Sequence, residues 1–218
     1  ALPICFPAPI ILALLLNELR WSKFKRTVQT ISYLPHFISL VVICGMIKQF
    51  TLENGLVNDI IALFGGNRAN LLNNPSAFVP IYVISEVWTR VGWGSIIYLA
   101  ALSGISPELY EAASLEGAGR FKQMWHVTLP GLLPTVVVLF VLRMGSVLTV
   151  GHEKIILLYN PMTMSTADVI SSYVYRKGLQ EQNWSFSTAV GLFNSVINLI
   201  MLVLTNKLSK KLTGNSLW

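Results

Sequence analysis

Charge is scarce in this 218-residue sequence: Asp, Glu, Lys and Arg make up 12% of it, against 53% hydrophobic residues. A soluble domain carries about 25% charged and about 45–50% apolar residues. A globule of this size built from this chain would lack the polar surface to stay in water. Cysteine is nearly absent as well. Cys5 and Cys44 both lie in apolar runs and fit neither a disulfide framework nor a zinc spacing. The three histidines, His36, His126 and His152, are isolated, with no HExxH and no Cys/His cluster of metal-ligand spacing. A G-x-S-x-G elbow and a G-x-x-x-x-G-K-[ST] phosphate loop are both missing, so the chain has no usual means of acyl transfer or ATP hydrolysis. Tandem repeats, low-complexity tracts, soluble-domain linkers and a recognisable signal peptide are lacking too. The net charge of +6 could suggest a nucleic-acid partner, but the basic residues fall in short clusters beside apolar runs. That distribution is a membrane pattern and implies no nucleic acid.

What the sequence does have is long hydrophobic runs, with a mean hydropathy of +0.59. A bilayer core requires about 20 mostly apolar residues per helix. Ile31–Phe50, Val79–Leu102, Gly131–Val150 and Phe186–Leu204 meet that length, and Ala1–Leu16 is apolar but short. An all-α transmembrane fold with about five spanning helices follows. Orientation follows from Lys and Arg, which stay cytoplasmic near helix ends. One side collects nine: Arg20, Lys23, Lys25, Arg26, Arg120, Lys122, Lys207, Lys210 and Lys211. The other side collects five, Lys48, Arg68, Lys154, Arg176 and Lys177, while Arg90 and Arg143 lie within spans. The N-terminus is therefore expected outside and the C-terminus in the cytoplasm. Of the outer connections, "LENGLVNDIIALFGGN" places Leu56, Ile60, Ile61 and Phe64 at helical spacing and reads as an interfacial helix. The second, "GHEKIILLYNPMTMSTADVISSYVYRKGL", is a loop of a length usually kept for function.

One segment breaks the apolar pattern: "ELYEAASLEGAGRFKQMWHVTLP", Glu108 to Pro130. Ser106-Pro107-Glu108 is a helix start, with a capping serine, proline in the first turn and an acid beside the helix N-terminus. Leu109, Ala112, Ala113 and Glu116 share a stripe, and Gly117 and Gly119 end the helix in left-handed dihedrals. Taken by composition, this is a structured interfacial helix and turn before the next span.

The spacing is more specific: E-A-A (Glu111, Ala112, Ala113), three residues, Gly117, nine residues, then Val127-x-Leu129-Pro130. It resembles the EAA loop of bacterial ABC importer permeases that depend on an external binding protein, with Val127 standing where isoleucine is usual. The resemblance extends over essentially the whole chain, through "ALLLNELRWSKFKRTVQTISYLPHFIS" and "WGSIIYLAALSGISPELYEAA". The outer loop and the end "NKLSKKLTGNSLW" resemble the polysaccharide and alginate branch of the maltose-permease-like superfamily, although His152 stands where an aromatic is expected. The resemblance implies a type I permease core, residues 1–218 as one permease domain, with the coupling loop at about 105–130. It implies one earlier family helix, missing here, so that the chain is expected to be a fragment lacking its first span. Glu111, Ala112, Ala113, Gly117, Leu129 and Pro130 would couple the permease to a cytoplasmic ATPase pair. ATP and Mg would be bound by that ATPase, with no cofactor in this chain. The implied partners are a second permease subunit, an ATPase dimer, an external solute-binding protein and the bilayer of the bacterial inner membrane. The implied cargo is an oligosaccharide or polysaccharide fragment, possibly acidic. A neutral malto-oligosaccharide or glycerol phosphate is the nearest rival cargo, and a membrane channel or scaffold the rival class.

Polar residues inside spans are few. Glu86 and Arg90 have the i,i+4 spacing and order of a local ion pair. Arg143 stands in "VVVLFVLRMGSVLTV" with no acid within a turn. A lone membrane arginine costs at least about 2.5–3.5 kcal/mol, which calls either for a partner helix or for contact with substrate. Asn194, Ser195 and Asn198 form a polar stripe suited to helix–helix hydrogen bonds. Trp93 fits an interfacial belt or a sugar-stacking platform. Arg143, Trp93 and Asn194 are the expected substrate-path residues.

Overall fold

A computed structural model describes residues 2–149 and 151–217; Ala1 and Val150, which bound two of the expected spans, lie outside the described residues, as does Trp218. The chain is helical, with no strand among the described residues. In chain order the main helices are α1 (Pro7–Glu18), α2 (Ser22–Tyr33), α3 (Leu40–Thr51), α4 (Leu56–Leu63), α5 (Pro75–Ser103) and α6 (Pro107–Leu115). They continue with α7 (Arg120–Met144), α8 (His152–Leu158), α9 (Met164–Ala167), α10 (Ile170–Tyr175) and α11 (Trp184–Thr213). Among the described residues, three segments are long and apolar enough to cross a bilayer: Leu40–Leu63, Arg120–Met144 and Trp184–Thr213. The apolar Leu2–Glu18 is shorter, and α5 has 29 residues but carries Glu86 and Arg90.

Two boundaries differ from the sequence reading. The expected span Ile31–Phe50 is broken: α2 ends at Tyr33, a 3-10 turn follows over Leu34–Phe37, and α3 starts at Leu40. Pro35 accounts for the break, since it disfavours helical dihedrals at Leu34. Ser39 restarts the helix as N-cap, accepting from the Val42 amide. The expected span Gly131–Val150 is shorter, because α7 stops at Met144.

The chain divides into two compact units. The first comprises Leu34–Thr89 and Leu148–Val196. Its core joins Ile43, Cys44 and Ile47 of α3 to Phe78 of α5, Leu72, Leu158 of α8 and Ala167 of α9. The expected long outer loop thus folds as three short helices, of which α8 and α9 contribute to this core. Asparagines fasten the turns. Asn58 is fully buried; its amide donates to the carbonyls of Leu52 at 2.6 Å and Ala69 at 2.8 Å, and its side-chain oxygen accepts from the Ala69 amide. Asn58 thus points inward from α4, while its neighbour Asp59 stays exposed and pairs with Arg68 at 2.7 Å. Leu63 and Phe64 are turned outward, as an interfacial helix requires. Asn160 ties the segment after α8 to the Leu72 carbonyl at 2.9 Å.

Within the same unit, Arg176 forks onto Asp168, its Nη1 2.9 Å from Oδ1 and its Nη2 on Oδ2, while the Ser172 hydroxyl also donates to Oδ1. The Arg176 hydrogen bond holds the Asp168 carboxyl below its ordinary value, against an opposing push from burial; Ser172 adds to the lowering. A carboxyl depressed in the folded state adds stability that is complete above its unfolded value, near pH 3.9, and fades as pH falls through the folded one. Asp168→Asn is expected to cost about 1 kcal/mol at pH 7. In thermal unfolding of the detergent-solubilised protein, the gap between variant and parent should shrink as pH falls from about 5 toward 3. A gap that stays constant over that range would remove the ion pair from the account.

The second unit comprises Leu2–Tyr33, Arg90–Val147 and Ile197–Trp218. Ala13 of α1, Tyr98 and Leu102 of α5 and Leu132 of α7 form its core. Gly92 is a point of closest approach: a Cβ there would come within 2.0 Å of the Ser32 carbonyl oxygen, so only glycine lets α5 pass the end of α2.

Candidate functional site

The polar segment folds as its local chemistry dictates. Ser106 caps α6, accepting from the Glu108 amide at 3.3 Å, with Pro107 in the first turn and Glu108 beside the helix N-terminus. At the other end the Gly117 amide donates to the Ser114 carbonyl and the Ala118 amide to that of Ala113, at 3.0 and 2.9 Å. This is a Schellman closure, and it requires the left-handed φ of +77° that Gly117 adopts. Gly119 departs from expectation. Its φ is −69° and ψ 167°, an extended conformation that serves as N-cap of the following helix.

From Arg120 the chain runs as α7, with a π-turn over Met124–Thr128 closed by the Leu129 amide on the Met124 carbonyl. Pro130 explains the widening. It has no N–H to give the His126 carbonyl, and its ring would crowd that oxygen in a regular α-turn. Leu129 and Pro130 therefore mark where the polar segment becomes a span.

Side-chain bonds hold α6 against this second helix. The Tyr110 hydroxyl lies 3.1 Å from the Thr128 hydroxyl. Gln123 Nε2 donates to Ser114 Oγ at 2.8 Å and to the Ala118 carbonyl at 2.9 Å, and Ser114 Oγ itself donates to the Tyr110 carbonyl. Glu111, Ala112, Ala113, Gly117, Leu129 and Pro130 are thus brought into one helix–turn–helix element. The sequence reading missed Tyr110, Ser114, Gln123 and Thr128, whose signal is only a set of polar residues facing each other across Gly117. The outward face carries Glu111, Ala112 and Leu115, the last 91% exposed.

The expected substrate-path residues fall in both units. Arg143 and Trp93 belong to the second unit and Asn194 to the first. Arg143 is exposed and lies in the last turn of α7, not mid-span, because the helix stops one residue later. There its charge complements the helix C-terminus, and it has no ion-pair partner among the described residues. Asn194 on α11 has its side-chain oxygen buried without a hydrogen-bond partner among the described residues.

A further charged pair was not foreseen. Lys154 of α8, read from the sequence as a loop charge, is 3% exposed and donates to Glu86 Oε2 at 3.0 Å, with its ammonium 5.0 Å from the centre of the Tyr82 ring. The partners stand 68 residues apart, beyond any local pattern.

The family model for the binding-protein-dependent transport system inner membrane component matches residues 6–214. The chain belongs to that family. It is a membrane permease component and not an enzyme. Among relatives, the permease is 46% identical over 211 residues to the polygalacturonan/rhamnogalacturonan transport system permease protein of Bacillus subtilis, covering 96% of this chain and 66% of that one. It is 27% identical to the arabinooligosaccharides transport system permease protein of the same organism, covering 97% and 68%. Among solved structures it resembles a chain of the bacterial alginate ABC transporter in complex with an alginate pentasaccharide-bound periplasmic protein. That match has 45% identity and a TM-score of 0.94, over 97% of this permease and 74% of that chain. The permease spans about two thirds of the length of the curated relatives it matches.

Proposed function

We propose that this permease is the transmembrane subunit of an ATP-driven importer for oligosaccharides cut from acidic polysaccharides. The supporting observation is a pair of likenesses at 45% identity or above along nearly the whole chain, one to a polygalacturonan/rhamnogalacturonan permease and one to an alginate importer. An external binding protein delivers the sugar, and a second permease subunit completes the path. A separate ATPase pair binds ATP and Mg on the cytoplasmic side, where the C-terminus and α6 also lie; the basic bias of those segments supports this orientation. On this reading α6 docks into the ATPase through its free outward face, and the Schellman turn at Gly117 with the Tyr110–Thr128 and Gln123–Ser114 bonds passes the motion into α7.

Arg143 is the cationic contact for the sugar. It is always charged, offers a bidentate fork to a carboxylate, and lacks an ion-pair partner within the described chain. Trp93, in the same unit as Arg143, offers a stacking face, and the orphaned Asn194 oxygen takes a donor of the second permease. Proteoliposomes holding the complete importer and its binding protein should accumulate labelled oligogalacturonate well above labelled malto-oligosaccharide. Arg143→Gln should cut oligogalacturonate uptake by tenfold or more, since a charged hydrogen bond is worth about 1.5–3 kcal/mol, while assembly and basal ATPase activity persist. Equal uptake of the two sugars by the parent would defeat the acidic-cargo reading. Unchanged uptake by Arg143→Gln would defeat only the role of Arg143.

A further inference from the structure

The segment from Glu18 to Tyr33 is left unexplained by import chemistry. Its helix, α2, and the residue just before it expose apolar side chains: Trp21, which precedes the helix, is 79% exposed, and Phe24 and Ile31 within it are 53% and 66% exposed. These positions, with half-buried Val28 between them, recur at i, i+3, i+7 and i+10, one face of a helix. Flanking that stripe are the cations Lys23, Lys25 and Arg26. An exposed aromatic and aliphatic stripe bordered by basic side chains is the pattern of a helix lying at a membrane surface.

A second feature adjoins it within the same compact unit. A cavity of about 410 Å³ is lined by Glu18, Leu19, Arg20, Trp21, Phe24 and Arg120. Arg20 and Arg120 are 100 positions apart in sequence, yet the fold brings both to one opening beside two aromatic rings. Neither guanidinium has an ion-pair partner among the described residues. Glu18 is the one acid in the lining, and Lys23, Lys25, Arg26 and Lys122 in the adjoining segments leave the surroundings strongly positive.

We propose that Arg20 and Arg120 bind the phosphate of an anionic phospholipid, whose glycerol and acyl chains run along Trp21, Phe24 and Ile31. The chemistry is complementary at both ends. Two planar guanidiniums suit a phosphodiester, and rings at the headgroup level suit the ester region below it. A soluble anion would satisfy the arginines but leave the aromatic stripe in water, and the stripe is what selects a lipid. The inference stands apart from the identity of the imported sugar.

The complete importer, permease pair with ATPases, is reconstituted in nanodiscs of phosphatidylcholine with a rising fraction of phosphatidylglycerol. Lipid retained on extraction is counted by native mass spectrometry. Each basic residue near a membrane surface is worth about 1 kcal/mol toward anionic lipid, so Arg20→Gln/Arg120→Gln should weaken phosphatidylglycerol retention about thirtyfold. Phosphatidylcholine, whose choline offsets its phosphate charge, should lose far less, and Arg20→Lys/Arg120→Lys should keep most of the binding. Both arginines are exposed, so the substitutions leave the core intact. Equal phosphatidylglycerol retention by the glutamine pair and the parent overturns the proposal. So does loss of the ATPase subunits from the glutamine pair with lipid retention preserved, because the basic face would then belong to a protein partner.

Discussion

Glu86→Leu is expected to destabilise the permease by about 3–5 kcal/mol. The cause is the ammonium left behind. Lys154 is almost fully buried and receives its counter-charge from Glu86 at 3.0 Å. Removing one member of a buried pair strands the other charge in a medium that cannot solvate it, while replacing both members with apolar groups is often close to neutral. The double variant Glu86→Leu/Lys154→Met should therefore recover most of the loss. Thermal unfolding of the purified protein in one detergent reads both effects. If the double variant melts as low as Glu86→Leu alone, the stranded charge is the wrong explanation and lost packing is the right one.

The second large effect concerns transport and not stability. Gly117→Val should leave the permease inserted and assembled yet reduce coupled uptake by tenfold or more, a loss of about 1.4 kcal/mol or greater in coupling. A Cβ on Gly117 would meet nothing within 4 Å, so space is not the obstacle. The obstacle is the φ of +77°, which a β-branched residue adopts only under strain. Relieving that strain opens the Schellman turn and loosens α6 from α7. Asparagine tolerates left-handed dihedrals, so Gly117→Asn should retain most of the uptake. Glu111→Lys should give the same uncoupled phenotype by a different route, since it reverses a charge on the exposed face proposed to dock, without touching the turn. Binding-protein-stimulated ATP hydrolysis, measured beside uptake, distinguishes uncoupling from misfolding. Normal uptake in both Gly117→Val and Glu111→Lys would leave α6 without a coupling role.

How much of this could be read from the sequence depended on the range of each interaction. The start of α6 was legible because its cap is three consecutive residues, Ser106-Pro107-Glu108, and its end because glycine marks a left-handed turn. Gly119 was misread by the same rule: the sequence does not distinguish a glycine that ends one helix from a glycine that begins the next. Ile31–Phe50 read as one span because hydropathy averages over Pro35, whose effect is steric and local. The helices α8 to α10 read as a loop because each is shorter than a hydrophobic period can reveal, and α8 and α9 owe their order to the core they join. The Glu86–Lys154 pair, the Asn58 clasp and the approach of Arg20 to Arg120 are tertiary. Nothing in the residues near either partner announces them.

The π-turn over Met124–Thr128 carries a consequence for anyone reading such sequences by eye. It inserts one residue without a matching increment of turn, so the helical phase before it and the phase after it differ by about 100°. A wheel drawn continuously from Arg120 would put Leu132, Val137 and Val141, which are buried, on the wrong side of α7. The count has to restart at Leu129. Pro130, five residues after Trp125, is the mark in the sequence that tells the reader where to restart it.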